Sequence, residues 1–338
     1  MTRFSAGRST GYVGRPFRVA ITVSIAIAAL FVPTLANAQQ RYALIVSGAT
    51  GGAEYVDQYA KWTAQLSEAL TGRMKIDAAH VTVLSETTTA DRIANAANVR
   101  RILTTVRQSM SRDDLLFIVL IGHGTFDGVD AKFNLVGPDL ESAEWAALLK
   151  PLAGRVVLVN TSSGSFPFLE RLSGPRRIVI TATDSAAQRF DTVFPEYFVA
   201  AFEDEAADID KNGRISIWEA FAAASAGVRR HYQQRGQLTT ERALIDDNGD
   251  GVGNEAVKPQ EDGSAASRTY LDEPLPGAAP TDEALLKLLQ KKATLEAEVD
   301  DLKIRRQFLP AEDYAKEFER IMIELARVSH DIRERGRT

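Results

Sequence analysis

The sequence predicts an α/β fold, a mostly parallel β-sheet with helices on both faces. Three observations carry this. Short apolar runs rich in branched residues recur along residues 41–254, among them LLFIVLI at 115–121 and VVLV at 156–159. Between them lie stretches whose apolar residues repeat at helical spacing. The runs are apolar at successive positions rather than at every second one. That pattern marks strands covered on both faces, which are parallel strands under crossover helices.

Taken in order, residues 42–47 (YALIVS) form a first strand, ending at Gly48-Ala49-Thr50-Gly51-Gly52. Residues 55–70 read as a helix, with Tyr59, Trp62, Leu66 and Leu70 on one side. Residues 81–84 (VTVL) are a second strand, and 90–110 a helix with Ile93, Val99, Ile102 and Val106 inward. The third strand, 115–121, runs into Gly122-His123-Gly124. A short helix over 143–149 leads to the fourth strand, 156–159, which runs into Asn160-Thr161-Ser162-Ser163-Gly164-Ser165. Residues 178–181 (IVIT) are the fifth strand. Sites in such sheets lie at the carboxyl ends of strands, so His123 and the Thr161-Ser162-Ser163 turn are expected to converge.

The ends of the chain read differently. Arg3, Arg8, Arg15 and Arg18 precede a mostly apolar run to Leu35 and a small-x-small Ala36-Asn37-Ala38. Residues 1–38 thus read as a cleavable signal peptide, with a periplasmic or secreted destination. The run is interrupted by Thr22, Ser24 and Pro33 and falls short of the ~20 residues a membrane span needs. No later segment is apolar enough to span. The whole chain carries a net charge of −5; without the four leader arginines, 36 basic residues face 45 acidic ones. That acidity argues against nucleic acid as a partner and leaves a protein or peptide as the expected one. The absence of cysteine removes disulfides and thiolate metal sites.

Residues 39–254 read as one catalytic-type domain and 255–280, rich in Gly, Pro, Ser and acidic residues, as a linker. Residues 281–338 read as a helical hairpin. Its first helix aligns Leu288, Leu295, Val299 and Leu302. Leu309-Pro310 breaks the pattern, and the second helix places Tyr314, Phe318, Ile321, Leu325, Val328 and Ile332 at heptad-like spacing. That seam closes on itself, on the sheet domain or on a partner chain.

Three landmarks in order resemble the legumain family of caspase-like peptidases, in its bacterial branch. Ala43-Leu44-Ile45-Val46-Ser47-Gly48 is similar to the family's first strand and Gly turn, Gly122-His123-Gly124 to its catalytic His-Gly, and Asn160-Thr161-Ser162-Ser163-Gly164-Ser165 to its nucleophile segment Ala-Cys-x-Ser-Gly-Ser. The resemblance implies a caspase-like fold over about two thirds of the mature chain. It also implies His123 as general base and Gly124 as an oxyanion donor. Thr161 stands where the family has cysteine, and Thr50 where it often has a supporting asparagine. A thiolate forms at accessible pH, with a free pKa near ~8.5; a hydroxyl does not, and needs an oriented base in contact. The expectation is a cysteine-free pseudo-peptidase that binds or scaffolds. The alternative is a hydrolase using Thr161, Ser162 or Ser163 with His123; no carboxylate stands out as its orienting group, and Asp127 and Asp130 are the ones close to it in sequence.

A second constellation is acidic. Residues 208–219 match the twelve-residue EF-hand loop, with Asp208, Asp210 and Asn212 at positions 1, 3 and 5 and Gly213 at the turn. The Arg214 carbonyl takes position 7, Ser216 position 9 and Glu219 the bidentate position 12. Residues 194–205 and 217–229 would be the flanking helices. Ca²⁺ is the expected ion, held weakly by a single loop, and within reach of calcium near ~10⁻³ M outside the cytoplasm. A weaker match, 246–253, repeats Asp246, Asn248 and Asp250 at the same spacing. It has Val257 at position 12, so its bidentate ligand is missing. His80, His231 and His330 show no metal spacing.

Overall fold

The structure is a computed structural model that describes residues 39–256, 262–273, 283–306 and 309–335. The expected signal peptide, 1–38, lies outside the described residues. No described helix is long and apolar enough to cross a membrane.

The fold is mixed α/β. Strands β1 (Arg41–Ser47), β2 (Val81–Leu84), β3 (Leu115–Ile121), β7 (Arg155–Asn160), β8 (Arg177–Thr181) and β9 (Leu244–Asp246) form one sheet in the order β2-β1-β3-β7-β8-β9. The first five are parallel and β9 runs antiparallel at the edge. The register sets Ser47 beside Ile121, Leu120 beside Asn160 and Asn160 beside Thr181, so the carboxyl ends line up.

Alternation along each strand feeds two cores. Ile45, Phe117, Val119, Val157 and Ile180 face α1 (Ala53–Glu68), α5 (Phe194–Ala201) and α6 (Ile217–Gln234). Leu44, Leu116, Ile118, Val156 and Leu158 face α2 (Ala96–Ser109), α3 (Ser142–Leu149) and α4 (Phe166–Leu172). Trp218, Phe117, Phe198 and Phe202 on one side and Trp145 and Phe168 on the other are almost fully buried. At about 1.5–3 kcal/mol for each large apolar side chain, these layers hold the sheet.

Several elements differ from expectation. The second helix starts at Ala96, not residue 90, because Asn95 caps the Asn98 N–H at 2.8 Å and Ala94 N–H donates to the Ser85 carbonyl. The first helix ends in a widened π turn over Ala69–Arg73. The helix expected over 194–205 stops at Ala201, and Glu205–Ala207 forms a separate 3₁₀ turn. Strand β9 was not expected. Nor was a small antiparallel sheet, β4 (Gly124–Phe126), β5 (Ala131–Phe133) and β6 (Leu140–Glu141). Strands of two or three residues are too short to show a period.

Part of the stretch read as a linker is packed. In residues 262–273, Ala266 and Leu271 are fully buried, and the Leu271 carbonyl accepts from Arg41 Nη1 at 2.7 Å. The low apolar content that suggested a linker is offset by hydrogen bonding to polar partners. At the C-terminus, α7 (Glu283–Arg305) and α8 (Ala311–Arg335) pack together. Their seam, including Leu295, Val299, Ile321 and Val328, is continuous with the core on the α1, α5 and α6 side.

Candidate functional site

The carboxyl end of β3 turns sharply. Gly122 has φ 153°, and a Cβ there would lie 3.3 Å from Phe133 Cζ and 3.4 Å from Gly48 Cα, so glycine is the residue that suits it. The turn places His123 over the start of α1, half-shielded, and sends Gly124 across the end of β7. A Cβ on Gly124 would sit 2.3 Å from the Ser163 carbonyl oxygen and 2.5 Å from Ser162 Oγ. The fold therefore does bring the His-Gly pair and the serine turn together.

Their side chains are not coupled. His123 Nε2 lies 3.0 Å from the Thr50 carbonyl oxygen and 3.1 Å from Tyr59 Oη; Nδ1 lies 3.0 Å from Asp191 Oδ1. Both ring nitrogens are thus engaged by Thr50, Tyr59 and Asp191, and neither forms a hydrogen bond with the hydroxyls of Thr161, Ser162 or Ser163. Tyr55 packs edge-on against the imidazole with centroids 4.5 Å apart and donates its hydroxyl to Asp191. That bond pushes the Tyr55 phenol up to about 12.

Each candidate nucleophile has its own acceptor. Thr161 Oγ1 donates to the Leu120 carbonyl at 2.7 Å, Ser162 Oγ to Asn160 Oδ1 at 2.7 Å, and Ser163 Oγ to the Gly124 carbonyl at 3.2 Å. Thr161 and Ser162 are 1 % exposed and Ser163 5 %, which leaves no room for a substrate carbonyl at the first two. A cavity of about 220 Å³ opens beside Ser163, lined by Tyr55, Gln58, Trp62, Asp191 and Pro195.

The orienting carboxylate is Asp191, which the sequence reading did not single out. Asp127 pairs with Lys132 at 3.2 Å and Asp130 with Arg171 at 3.8 Å, whereas His123 pairs with Asp191. Thr50 contributes its backbone to the histidine, while its N–H and hydroxyl donate to Glu86 at 2.9 and 2.7 Å and hold that carboxyl below its ordinary range. No motif marks Asp191; it lies 68 residues beyond the histidine in a loop, and only folding joins them.

The acidic loop 208–219 winds around its own carboxylates. Asp208 accepts from the Asn212 and Gly213 N–H groups at 3.1 and 2.9 Å, Asp210 from Asn212 N–H at 3.0 Å, and Asn212 Oδ1 from Arg214 N–H at 2.8 Å. Gly213 takes φ 83° at the turn. Glu219 reaches back from α6, its Oε1 accepting from Ile209 and Asp210 N–H and its Oε2 from Ser216 N–H and Oγ; Ser216 caps the helix in return. Carboxylate oxygens of Asp208, Asp210 and Glu219 lie within 4.8 Å of one another. Burial first, and then repulsion from Asp208 on Asp210 and from Asp210 on Glu219, push both carboxyls upward. The Arg214 guanidinium turns away, onto Asp272 at 2.8 Å and over the Tyr270 ring. An all-oxygen set of this kind suits a hard divalent cation.

Loop 246–253 repeats this winding. Asp246 accepts from the Gly249 and Gly251 N–H groups, Asn248 Oδ1 from Asp250 N–H, and Asp250 Oδ1 from Val252 N–H. Asp262 Oδ1 accepts from Asp247 and Asn248 N–H, the second and third positions, as Glu219 Oε1 does in the first loop. Burial raises Asp262 to about 6, with Asp247 and Asp246 adding repulsion. Spacing missed Asp262 because it lies beyond position 12.

No protein-family model matches this sequence, and no curated protein sequence matches it. Among solved structures, the chain is similar to protein GSU0716 from Geobacter sulfurreducens, with 14 % identity and a TM-score of 0.41, covering 64 % of this chain and 97 % of that one. It is also similar to the Drosophila initiator caspase Dronc, with 14 % identity and a TM-score of 0.39, covering 71 % of this chain and 94 % of that one.

Proposed function

We propose that this protein is an exported, cysteine-free pseudo-peptidase of the caspase and legumain type that binds a protein or peptide and does not cleave it. One observation carries the reading. The hydroxyls of Thr161, Ser162 and Ser163 all donate to acceptors of their own turn or of its neighbours, while both nitrogens of His123 are held elsewhere. A hydroxyl nucleophile needs a base in hydrogen-bond contact, and here no base is in contact. The lack of any cysteine supports the same conclusion.

The second element of the proposal is Ca²⁺. Asp208, Asp210, Asn212, the Arg214 carbonyl, Ser216 and Glu219 would hold it in loop 208–219, with weak affinity. Asp246, Asn248 and Asp250 are a lesser candidate set. The ion would supply charge that the crowded carboxylates lack, and would tie α6 to the 3₁₀ turn before the loop. Export rests on the leader-like residues 1–38. The hairpin of α7 and α8 is a further surface for a partner.

A fluorophosphonate probe tests the first element. The expected result is no labelling of the native chain. Labelling that disappears in Ser163→Ala or His123→Ala would establish the hydrolase alternative instead; Ser163 is the hydroxyl bordering the 220 Å³ cavity.

A further inference from the structure

We infer that the amino-terminal edge of the sheet carries a binding site for a multiply charged oxyanion of the phosphate class, formed by Arg112, Arg155, Arg176 and Arg268. The four line one cavity of about 290 Å³, together with Thr269 and Tyr270. Arg112 lies just before β3, Arg155 opens β7 and Arg176 precedes β8, so three adjacent parallel strands deliver their arginines to one edge. Arg268 comes from the packed segment 262–273, which lines one side of the cavity. This edge is opposite the strand ends that hold His123.

No ion pair neutralises these charges. Among the described residues, none of the four guanidinium groups pairs with a carboxylate. Asp113 borders the cavity without an ion pair to any of them. Arg155 donates to Thr269 Oγ1 at 2.6 Å and Arg268 to Ser264 Oγ at 2.9 Å, both neutral acceptors. Burial, and after it the field of Arg268, push Arg155 below its ordinary range; Arg176 adds to this and Asp247 opposes it. Elsewhere, Arg41 and Arg214 reach Glu273 and Asp272. A chain of net charge −5 has carboxylates to spare, yet gathers four guanidinium groups here without pairing any of them.

The ligand class follows from this chemistry. A guanidinium binds oxyanions through two parallel N–H donors. One carboxylate matches one such fork; a phosphate ester or diphosphate matches several. The cavity is at the lower limit of small-ligand sites, about 300–1,000 Å³, which suits a phosphate or diphosphate group rather than a large cofactor. Arg176 is held at φ 59°, where a Cβ is disfavoured, with its carbonyl accepting from Val156 N–H at 3.0 Å. Glycine would relieve that backbone, so charge and fold can be separated at this position.

Calorimetric titration of the full chain with sodium pyrophosphate, against sodium chloride at matched ionic strength, tests the site. Saturable binding of pyrophosphate is expected. In the Arg112→Ser, Arg176→Gly double variant it weakens by at least about tenfold, while the anion-free melting midpoint stays or rises. Cosedimentation with phosphatidylglycerol vesicles identifies the source: retention that pyrophosphate competes away points to a lipid headgroup, and absence of retention with pyrophosphate bound points to a soluble phosphate. Pyrophosphate binding no stronger than that of chloride, or equal in the native chain and the double variant, overturns the inference.

Discussion

The strand-end turn and the acidic loops are both dense in polar side chains, and they treat them in opposite ways. At the turn, every hydroxyl donates to an acceptor a few ångströms away: Thr161 to Leu120, Ser162 to Asn160, Ser163 to Gly124. These hydroxyls are neutral and satisfied by their own fold, and the turn's buried group without a partner is the Asn160 Nδ2 amide. In loop 208–219, three carboxylates crowd within 4.8 Å, and backbone N–H groups offset only part of the repulsion. Burial without a counter-charge is the costly condition. The comparison teaches that polar density alone does not mark a working site. What matters is whether the groups have partners within the fold or await one from outside.

The largest expected effect breaks the comparison at the acidic loop. Adding Ca²⁺ at about fifty times its dissociation constant should stabilise the chain by about 2 kcal/mol, read as a rise of several degrees in the melting midpoint over EGTA. Glu219→Gln should remove most of that rise. An unchanged midpoint in the native chain counts against the ion.

The next effect is pH dependence in EGTA. Asp210, Glu219 and Asp262 are raised in the folded chain, so the folded state binds more protons than the unfolded one between the ordinary carboxylate range and the raised value. Stability therefore increases as pH falls from 7 toward about 5, and the gain is complete only below the ordinary carboxylate pKa. Ca²⁺ should flatten this slope. A melting midpoint that falls over the same pH interval in EGTA contradicts the charge-crowding account.

A smaller effect separates the two loops. Asp262→Asn should leave calcium binding at loop 208–219 intact and remove any binding at 246–253, measured as stoichiometry by calorimetry. Loss of both together would mean that Asp262 acts only by holding the segment 262–273.

The smallest effects belong to the turn. Ser162→Ala and Ser163→Ala each delete one hydrogen bond and should cost about 1 kcal/mol or less, with probe labelling absent before and after. Introducing a thiol with Thr161→Cys should produce slow alkylation by iodoacetamide in the folded chain and fast alkylation in denaturant, since the position is 1 % exposed. Rapid labelling of the folded variant would show that the turn opens.

Much of the fold was legible because buried parallel strands carry a signal that few other structures give. LLFIVLI and VVLV are such runs, and both form strands. The eight residues of β4, β5 and β6 gave none, since pairing to neighbours, not local period, makes them strands. Helix α2 was overextended because Ile93 fits a helical face by spacing, whereas Ala94 pairs with Ser85. At the site, His123 and the serine turn could be named in advance from their places at strand ends. Asp191, Tyr55 and Tyr59 could not, since no spacing connects them to the histidine.

The sequence by itself determined the sheet and the strand ends that face one another, because burial periodicity is local. It also determined that no thiolate can form. Only the tertiary structure decided where the hydroxyls point, which carboxylate meets His123, and that Asp262 takes in the second loop the place of Glu219 in the first. Each of those depends on hydrogen bonds between segments far apart in the chain, whose partners are chosen by how the layers pack and not by spacing along the sequence.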